Sequence, residues 1–174
     1  MPINIEMRPA TEDDAAHIAR LHVEAWQTSY QGIVHQSYLD GMDVGARTQR
    51  WREGLGNGKS QTFLAFEHAN LAGFTTVGPS REKQYPSHFE LWSIYLDPAY
   101  VGKGVGKLLF NRAVQYGLEQ GFTQMFVNVL DTNKAGRQFY ERMGGVAIHG
   151  GEFEAMIDDQ AYTEMKYEWK ELKL

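Results

Sequence analysis

The chain has 174 residues, enough for one domain that buries a core without cross-links, and its 43% hydrophobic and 22% charged residues argue against disorder. It has no cysteine, which excludes disulfides, thiolate metal sites and a cysteine nucleophile. A net charge of −5, no basic leader at the N-terminus and no apolar run of roughly 18–20 residues disfavour nucleic acid and membrane partners. The expectation is a single cytoplasmic domain over residues 1–174.

In chain order, residues 3–7 alternate apolar and polar side chains and read as a strand. Thr11, three residues before Asp14, makes a capping box. Ala15, Ile18, Leu21, His22 and Ala25 then follow at helical spacing, which predicts a helix to about Ser29. Short helices are expected near residues 36–41 and 45–54. Residues 62–67 and 72–77 form a hairpin pattern around His68-Ala69-Asn70. Residues 79–87 are polar, hold two prolines and read as a loop. Residues 89–96 concentrate Phe, Trp, Ile and Tyr, a strong strand signal. A glycine-rich turn then opens a helix whose apolar face carries Val105, Leu108, Leu109, Ala113 and Tyr116, and which Gly121 ends. Residues 125–130 form a strand and residues 133–143 a helix stopped by Gly144-Gly145. Residues 146–149 and 162–169 supply two more strands. The order predicts an α/β or α+β domain with a mixed sheet.

The segment Gly-Lys-Gly-Val-Gly-Lys over residues 102–107 carries the most chemical information. Glycines let backbone N–H groups approach a ligand, and the helix that starts there adds positive potential. Together they suit phosphate oxygens. Walker A chemistry fails, because Leu108 follows Gly106-Lys107 and Val101 occupies the first glycine position. A dinucleotide G-x-G-x-x-G fails as well, because Lys107 and Leu109 stand where its third glycine belongs. A bare tight turn is the alternative to a phosphate cradle.

Two motifs in order separate those readings. Leu96-Asp97-Pro98-Ala99-Tyr100-Val101-Gly102-Lys103-Gly104-Val105-Gly106 resembles the acyl-CoA turn of the GNAT acetyltransferases, [QR]-x-x-G-x-[GA] after a strand and before a helix. Downstream, Asn133 stands seven residues before Tyr140 in a stretch similar to the family's N-x-x-A-x-x-[FL]-Y-x-x-x-G-F. The resemblance covers nearly the whole chain. It implies the GNAT-type acyl-CoA N-acyltransferase fold, with a mixed, mostly antiparallel central sheet flanked by helices. It also implies acetyl-CoA as co-substrate and a primary amine of a small molecule or peptide as acceptor. Many members are homodimers, so a homodimer is expected by analogy alone.

By the same resemblance, the backbone of Ile94, Tyr95 and Leu96 pairs with the pantetheine arm. Gly102, Lys103, Gly104, Val105, Gly106 and Lys107 cradle the pyrophosphate, Asn133 holds the pantetheine, and Tyr140 is the general acid for the departing thiolate. The alternative for Tyr140 is a helix tyrosine with its hydroxyl in water. Three departures stand out: Val101 replaces Gln or Arg, Gly136 replaces Ala, and Gly145 replaces Phe.

An ammonium has no lone pair, so some group must accept its proton before attack. Glu90, eleven residues before Val101, is the candidate base, expected on one strand face with Trp92 and Ile94. A strand-end glutamate paired with a lysine, or a water chain, is the alternative. His88 and His149 are weaker substitutes. Asn128 stands where enzymes that acetylate ribosomal-protein N-termini carry a glutamate, which lowers that reading. Trp26, Tyr30 and Tyr38 either line the acceptor site or belong to the core. Glu152, Glu154, Asp158 and Asp159 make either a solvated tail loop or a cation-selecting rim. No metal-ligand spacing and no G-x-S-x-G elbow occurs. A non-catalytic acyl-CoA-binding sensor is the competing function; a longer acyl-CoA or a hydroxyl acceptor is a third.

Overall fold

The computed structural model of the protein describes residues 3–174. β1 (Glu6–Pro9) leads through a single 3-10 turn into α1 (Ala15–Ser29). The Asp14 carboxylate closes that turn by accepting from the Thr11 N–H at 2.8 Å and pairing with Arg8 at 2.8 Å. The Arg8 guanidinium holds this carboxyl down at about 2, and the Thr11 N–H adds to the effect. α2 (Gln36–Asp40) and α3 (Val44–Gly56) follow, the latter capped by Asp43 accepting from the Ala46 N–H at 2.6 Å.

β2 (Gln61–Glu67), β3 (Asn70–Pro79) and β4 (Phe89–Leu96) form an antiparallel meander. Then come α4 (Val105–Glu119), β5 (Met125–Leu130), α5 (Lys134–Arg142), β6 (Val146–Ala147), β7 (Phe153–Ile157) and β8 (Gln160–Trp169). All strands join one sheet in the order β1-β2-β3-β4-β5-β8-β6, with β7 also on β8. β4 and β5 run parallel, and the other neighbours are antiparallel. This is the mixed, mostly antiparallel α/β architecture expected.

The two faces of the sheet are covered differently. On one, Phe110, Ala113 and Val114 of α4 and Tyr140 of α5 pack on Phe89, Leu91, Val127 and Tyr167. On the other, Ile18, Leu21 and Ala25 of α1, with Trp51 and Leu55 of α3, pack on Leu64 and Phe74. Farther along that face, Val34 and Leu39 meet Leu130, Ile157 and Tyr162. Among the described residues no helix is long and apolar enough to cross a membrane.

Two irregularities in β4 shape the site. Thr76 pairs with Ser93 and Val77 with Leu91, so Trp92 is an extra, unpaired residue. Such a bulge reverses the alternation of side chains beyond it. Phe89 and Leu91 face α4, and past the bulge Ile94 and Leu96 do too, packing on Val105 and Leu109. Tyr95 faces α1. The expected placement of Glu90 on one face with Ile94 is therefore corrected: one inserted residue separates them. Second, the pairing of β4 with β5 stops at Leu91 and Val127, so residues 92–96 and 128–130 diverge.

The tail differs from expectation. Residues 153–157 form a strand, and Asp158-Asp159, both at positive φ, make the two-residue turn into β8. Phe-Glu-Ala-Met-Ile alternates weakly, and the acidic flanks mask it as a loop.

Candidate active site

The glycine turn lies beside the gap between β4 and β5. Asp97 ends β4 and accepts from the Ala99 N–H at 2.7 Å, starting a short 3-10 turn at Pro98. Gly102 (φ 77°) and Gly104 (φ 86°) follow in left-handed conformations, each with open space where a Cβ would stand. Gly104 is the N-cap of α4, so the N–H groups of Val105, Gly106 and Lys107 have no acceptor inside the helix. Val105 turns its side chain into the core, and a Cβ on Gly106 would stand 3.2 Å from Phe139. Lys103 reaches over the Tyr100 ring at 5.5 Å and Lys107 is exposed. The turn thus presents backbone N–H groups beside open space, with two lysines at its rim. The exposed side chain of Val101 lies outside it.

Ile94, Tyr95 and Leu96 lie in the part of β4 that β5 no longer pairs, so main-chain groups on that edge are available to an extended ligand. Asn133 caps α5, its Oδ1 accepting from the Gly136 N–H at 3.0 Å. A Cβ at position 136 would lie 2.7 Å from the Asn133 amide nitrogen. At Gly145 a Cβ would meet the Trp169 ring at 2.7 Å, which leaves no room for the family's larger residue.

Tyr140 is 8% exposed and packs against Phe139, Tyr167 and Trp169. Burial pushes its hydroxyl well above the ordinary tyrosine range, and neighbouring Tyr30 adds to the rise. Tyr30 ends α1 and comes close to Tyr95 and Asn133; burial raises it, and the charge of Glu164 raises it further. Tyr95 is raised by burial and by both other tyrosines. Three tyrosines from α1, β4 and α5 therefore converge on the gap, with Asn133 beside them. Trp26 packs tilted on Tyr30 with ring centroids 4.6 Å apart, and its buried indole N–H lacks a partner. Trp26, Tyr30 and Tyr38 thus belong to the core and border the gap at once.

Behind Tyr95 stands His22, stacked on it at 4.9 Å and accepting from the Trp51 N–H at 3.0 Å. Burial, reinforced by Arg47, holds this imidazole at about 3, so it stays neutral. Its spacing in the sequence marks it only as one more residue of a helix face.

Glu90 is 1% exposed and taken up by Arg81. The Arg81 backbone N–H donates to it at 2.8 Å and the guanidinium at 3.1 and 2.5 Å, while stacking on Trp92 at 4.3 Å. This is the paired arrangement, with an arginine from the preceding loop in place of a lysine. The next residue, Glu82, binds Lys166 at 2.8 and 2.9 Å and accepts from the Asn128 amide at 2.7 Å. His88 pairs with Glu168 at 3.0 Å, and His149 lies in the turn before β7. Loop 80–88 is thereby strapped to the sheet by residues on β4, β5 and β8.

Sequence reasoning missed Glu164 altogether. β8 carries it opposite Leu130 of β5 and Phe153 of β7, on the face that Tyr30 covers. Burial raises its carboxyl above the ordinary range. A lone glutamate in an alternating strand gives no sign of this; only the strand register exposes it.

Comparison with known proteins gives the context of this geometry. The model of the "Acetyltransferase (GNAT) family" matches residues 15–145. The N-acetyltransferase YuaI of Bacillus subtilis is 31% identical over 130 residues, 74% of this chain and 73% of that protein. The spermidine N(1)-acetyltransferase of Thermoplasma acidophilum is 27% identical over 150 residues, 82% of this chain and 88% of that protein. The crystal structure of PaiA N-acetyltransferase from Thermoplasma acidophilum in complex with coenzyme A shares the fold. Its TM-score is 0.69 at 21% identity, over 95% of this chain and 99% of that one. With the glycine cradle, the divided sheet and the convergent tyrosines in place, the chain belongs to the GNAT family of acetyl-CoA-dependent N-acetyltransferases.

Proposed function

We propose that residues 1–174 act as one cytoplasmic domain that acetylates a primary amine of a small molecule or peptide by direct attack on acetyl-CoA. The observation that carries this reading is the gap between β4 and β5, bordered by Tyr140 on the α5 face and by Tyr30 and Tyr95 on the α1 face. Acetyl-CoA supplies an activated thioester carbon. The cradle over residues 102–107 binds its pyrophosphate through backbone N–H groups, Lys103 and Lys107. The free edge at Ile94, Tyr95 and Leu96 and the Asn133 amide hold an extended amide-bearing arm, and an N–H of that edge donates to the developing oxyanion.

Tyr140 stays protonated at neutral pH because burial disfavours its anion. Its hydroxyl donates to the sulfur as charge builds there and passes its proton to the thiolate. Glu90 orients Arg81 and so keeps loop 80–88 against the acceptor face. A relative acting on spermidine supports an aliphatic amine as acceptor.

Thermal shift with acetyl-CoA and CoA release with an amine panel test this together. Saturating acetyl-CoA at about 100 times Kd adds roughly 2.7 kcal/mol, a rise of about 5–11 °C. Tyr140→Phe is expected to lower kcat about 10²-fold or more and leave acetyl-CoA affinity within twofold. Binding without turnover on any amine would favour the sensor reading instead.

A further inference from the structure

We infer that Glu164 accepts the proton of the incoming ammonium; this rests on the amine-acetylation reading above. The acceptor face holds three carboxylates near the gap, and two are engaged. Glu90 accepts three N–H groups from Arg81, and Glu82 accepts two hydrogen bonds from Lys166 and one from Asn128. Glu164 makes no hydrogen bond or ion pair among the described residues. Lys166, two positions along the same strand face, is taken by Glu82 and by the Asn128 amide oxygen at 2.7 Å. The cross-strand neighbours of Glu164 are apolar: Leu130 on one side, Phe153 on the other.

A half-buried, unpaired carboxylate between two apolar side chains loses part of its hydration, and an incoming cation offsets that cost. The groups that face it are Tyr30 from α1, Arg81 and Glu82 from the loop, Glu90 from β4 and Lys166 on its own strand. The two cations in that set are already neutralised by Glu90 and Glu82. Burial therefore dominates, and the carboxyl is raised above its ordinary range.

Glu164 is also well placed relative to Tyr140. Val127, Val129, Met165 and Tyr167 turn to the α5 face with Tyr140. Leu130 and Glu164 turn to the other, and Tyr30 stands between Glu164 and the group at Tyr95, Asn133 and Tyr140. Donor and acceptor of protons thus lie on opposite faces of the sheet, both on the β5–β8 side of the gap. A depression of about 420 Å³, lined by Gly32, Ile33, His35, Gln160 and Tyr162, lies at the start of β8, two residues along the strand from Glu164.

The protons balance. The ammonium gives one proton to Glu164, which releases it to solvent. The neutral nitrogen forms the C–N bond as the C–S bond breaks. Tyr140 protonates the sulfur and is restored by the second proton of the nitrogen. The sum is amide, thiol and one free proton.

The test is the pH profile of kcat/KM for wild type and Glu164→Gln with spermidine, lysine and thialysine, read on whichever turns over fastest. The isosteric amide should keep the acetyl-CoA thermal shift. The expected result is a loss of about 10²-fold or more near neutral pH. Wild-type kcat/KM should level off once the carboxyl has ionised. The variant should keep climbing with unit slope toward the amine pKa of about 10. Glu164→Asp should recover part of the rate. A variant within twofold of wild type with an unchanged profile overturns the role of Glu164 alone. Wild type inert toward all three amines, though it binds acetyl-CoA, overturns the amine reading and this inference with it.

Discussion

The two sides of the gap are made of different material. The cofactor side, residues 102–107, is contiguous backbone whose geometry two left-handed glycines set. The acceptor side is made of side chains from α1, β4, β5, β8 and loop 80–88, joined through Glu90, Glu82 and Lys166. A backbone-made site tolerates a changed neighbour such as Val101 and suffers from any Cβ on a positive-φ residue. A side-chain-made site depends on charge state and packing. Hence the phosphate cradle can stay recognisable between relatives that act on different amines.

Three substitutions probe that contrast beyond the Tyr140 and Glu164 variants. The largest effect is expected for Gly104→Val. A branched side chain at φ 86° costs roughly 1–2 kcal/mol and fills the open concavity. Acetyl-CoA affinity measured by calorimetry should fall about 10- to 100-fold, and a change under twofold would mean that the cradle lies elsewhere.

Next comes the acid sensitivity of the acceptor side. His22 is neutral when folded down to about pH 3, whereas the unfolded chain protonates it near 6.5. Its folded pKa is depressed, so its contribution is full above 6.5 and is lost as pH falls toward 3. Between pH 7 and 5 the loss is about 2 kcal/mol, or about 4–8 °C in Tm. His22→Gln keeps an acceptor for Trp51 and should lose that part of the slope. Parallel acid slopes in the two proteins would count against a neutral, buried His22.

The smallest effect is expected for Val101→Gln. One added polar contact should tighten acetyl-CoA about 2- to 5-fold. A gain above about tenfold would show that side chains rival backbone on the cofactor side.

Much of the fold was legible because its signals are local. β4 and β5 match expectation at both ends and α1 at its C-terminal end, since aromatic density, helical spacing and flanking glycines mark them within their own residues. The glycine turn was legible for the same reason: it is one contiguous run that opens α4. The acceptor side resisted because its signals are relations. Nothing near Glu90 in the chain announces that Arg81 folds back over it, and the bulge at Trp92 breaks the alternation by which a strand's faces are read. Glu164 becomes conspicuous only when β8 is aligned with Leu130 and Phe153, and when Lys166 is seen to be taken by Glu82.

The divided sheet has a consequence for association. Unpaired strand edges ordinarily invite other chains to add to them, and proteins blunt them with charge, proline or a covering loop. Here such an edge lies in the middle of the sheet, flanked by β3 on one side and by the diverging β5 on the other. A protein strand would have to carry its side chains into the sheet between β4 and β5, while a slender amide-bearing molecule would not. The interior position of the edge thus favours small partners over the strand-by-strand aggregation that the same groups would promote at the rim.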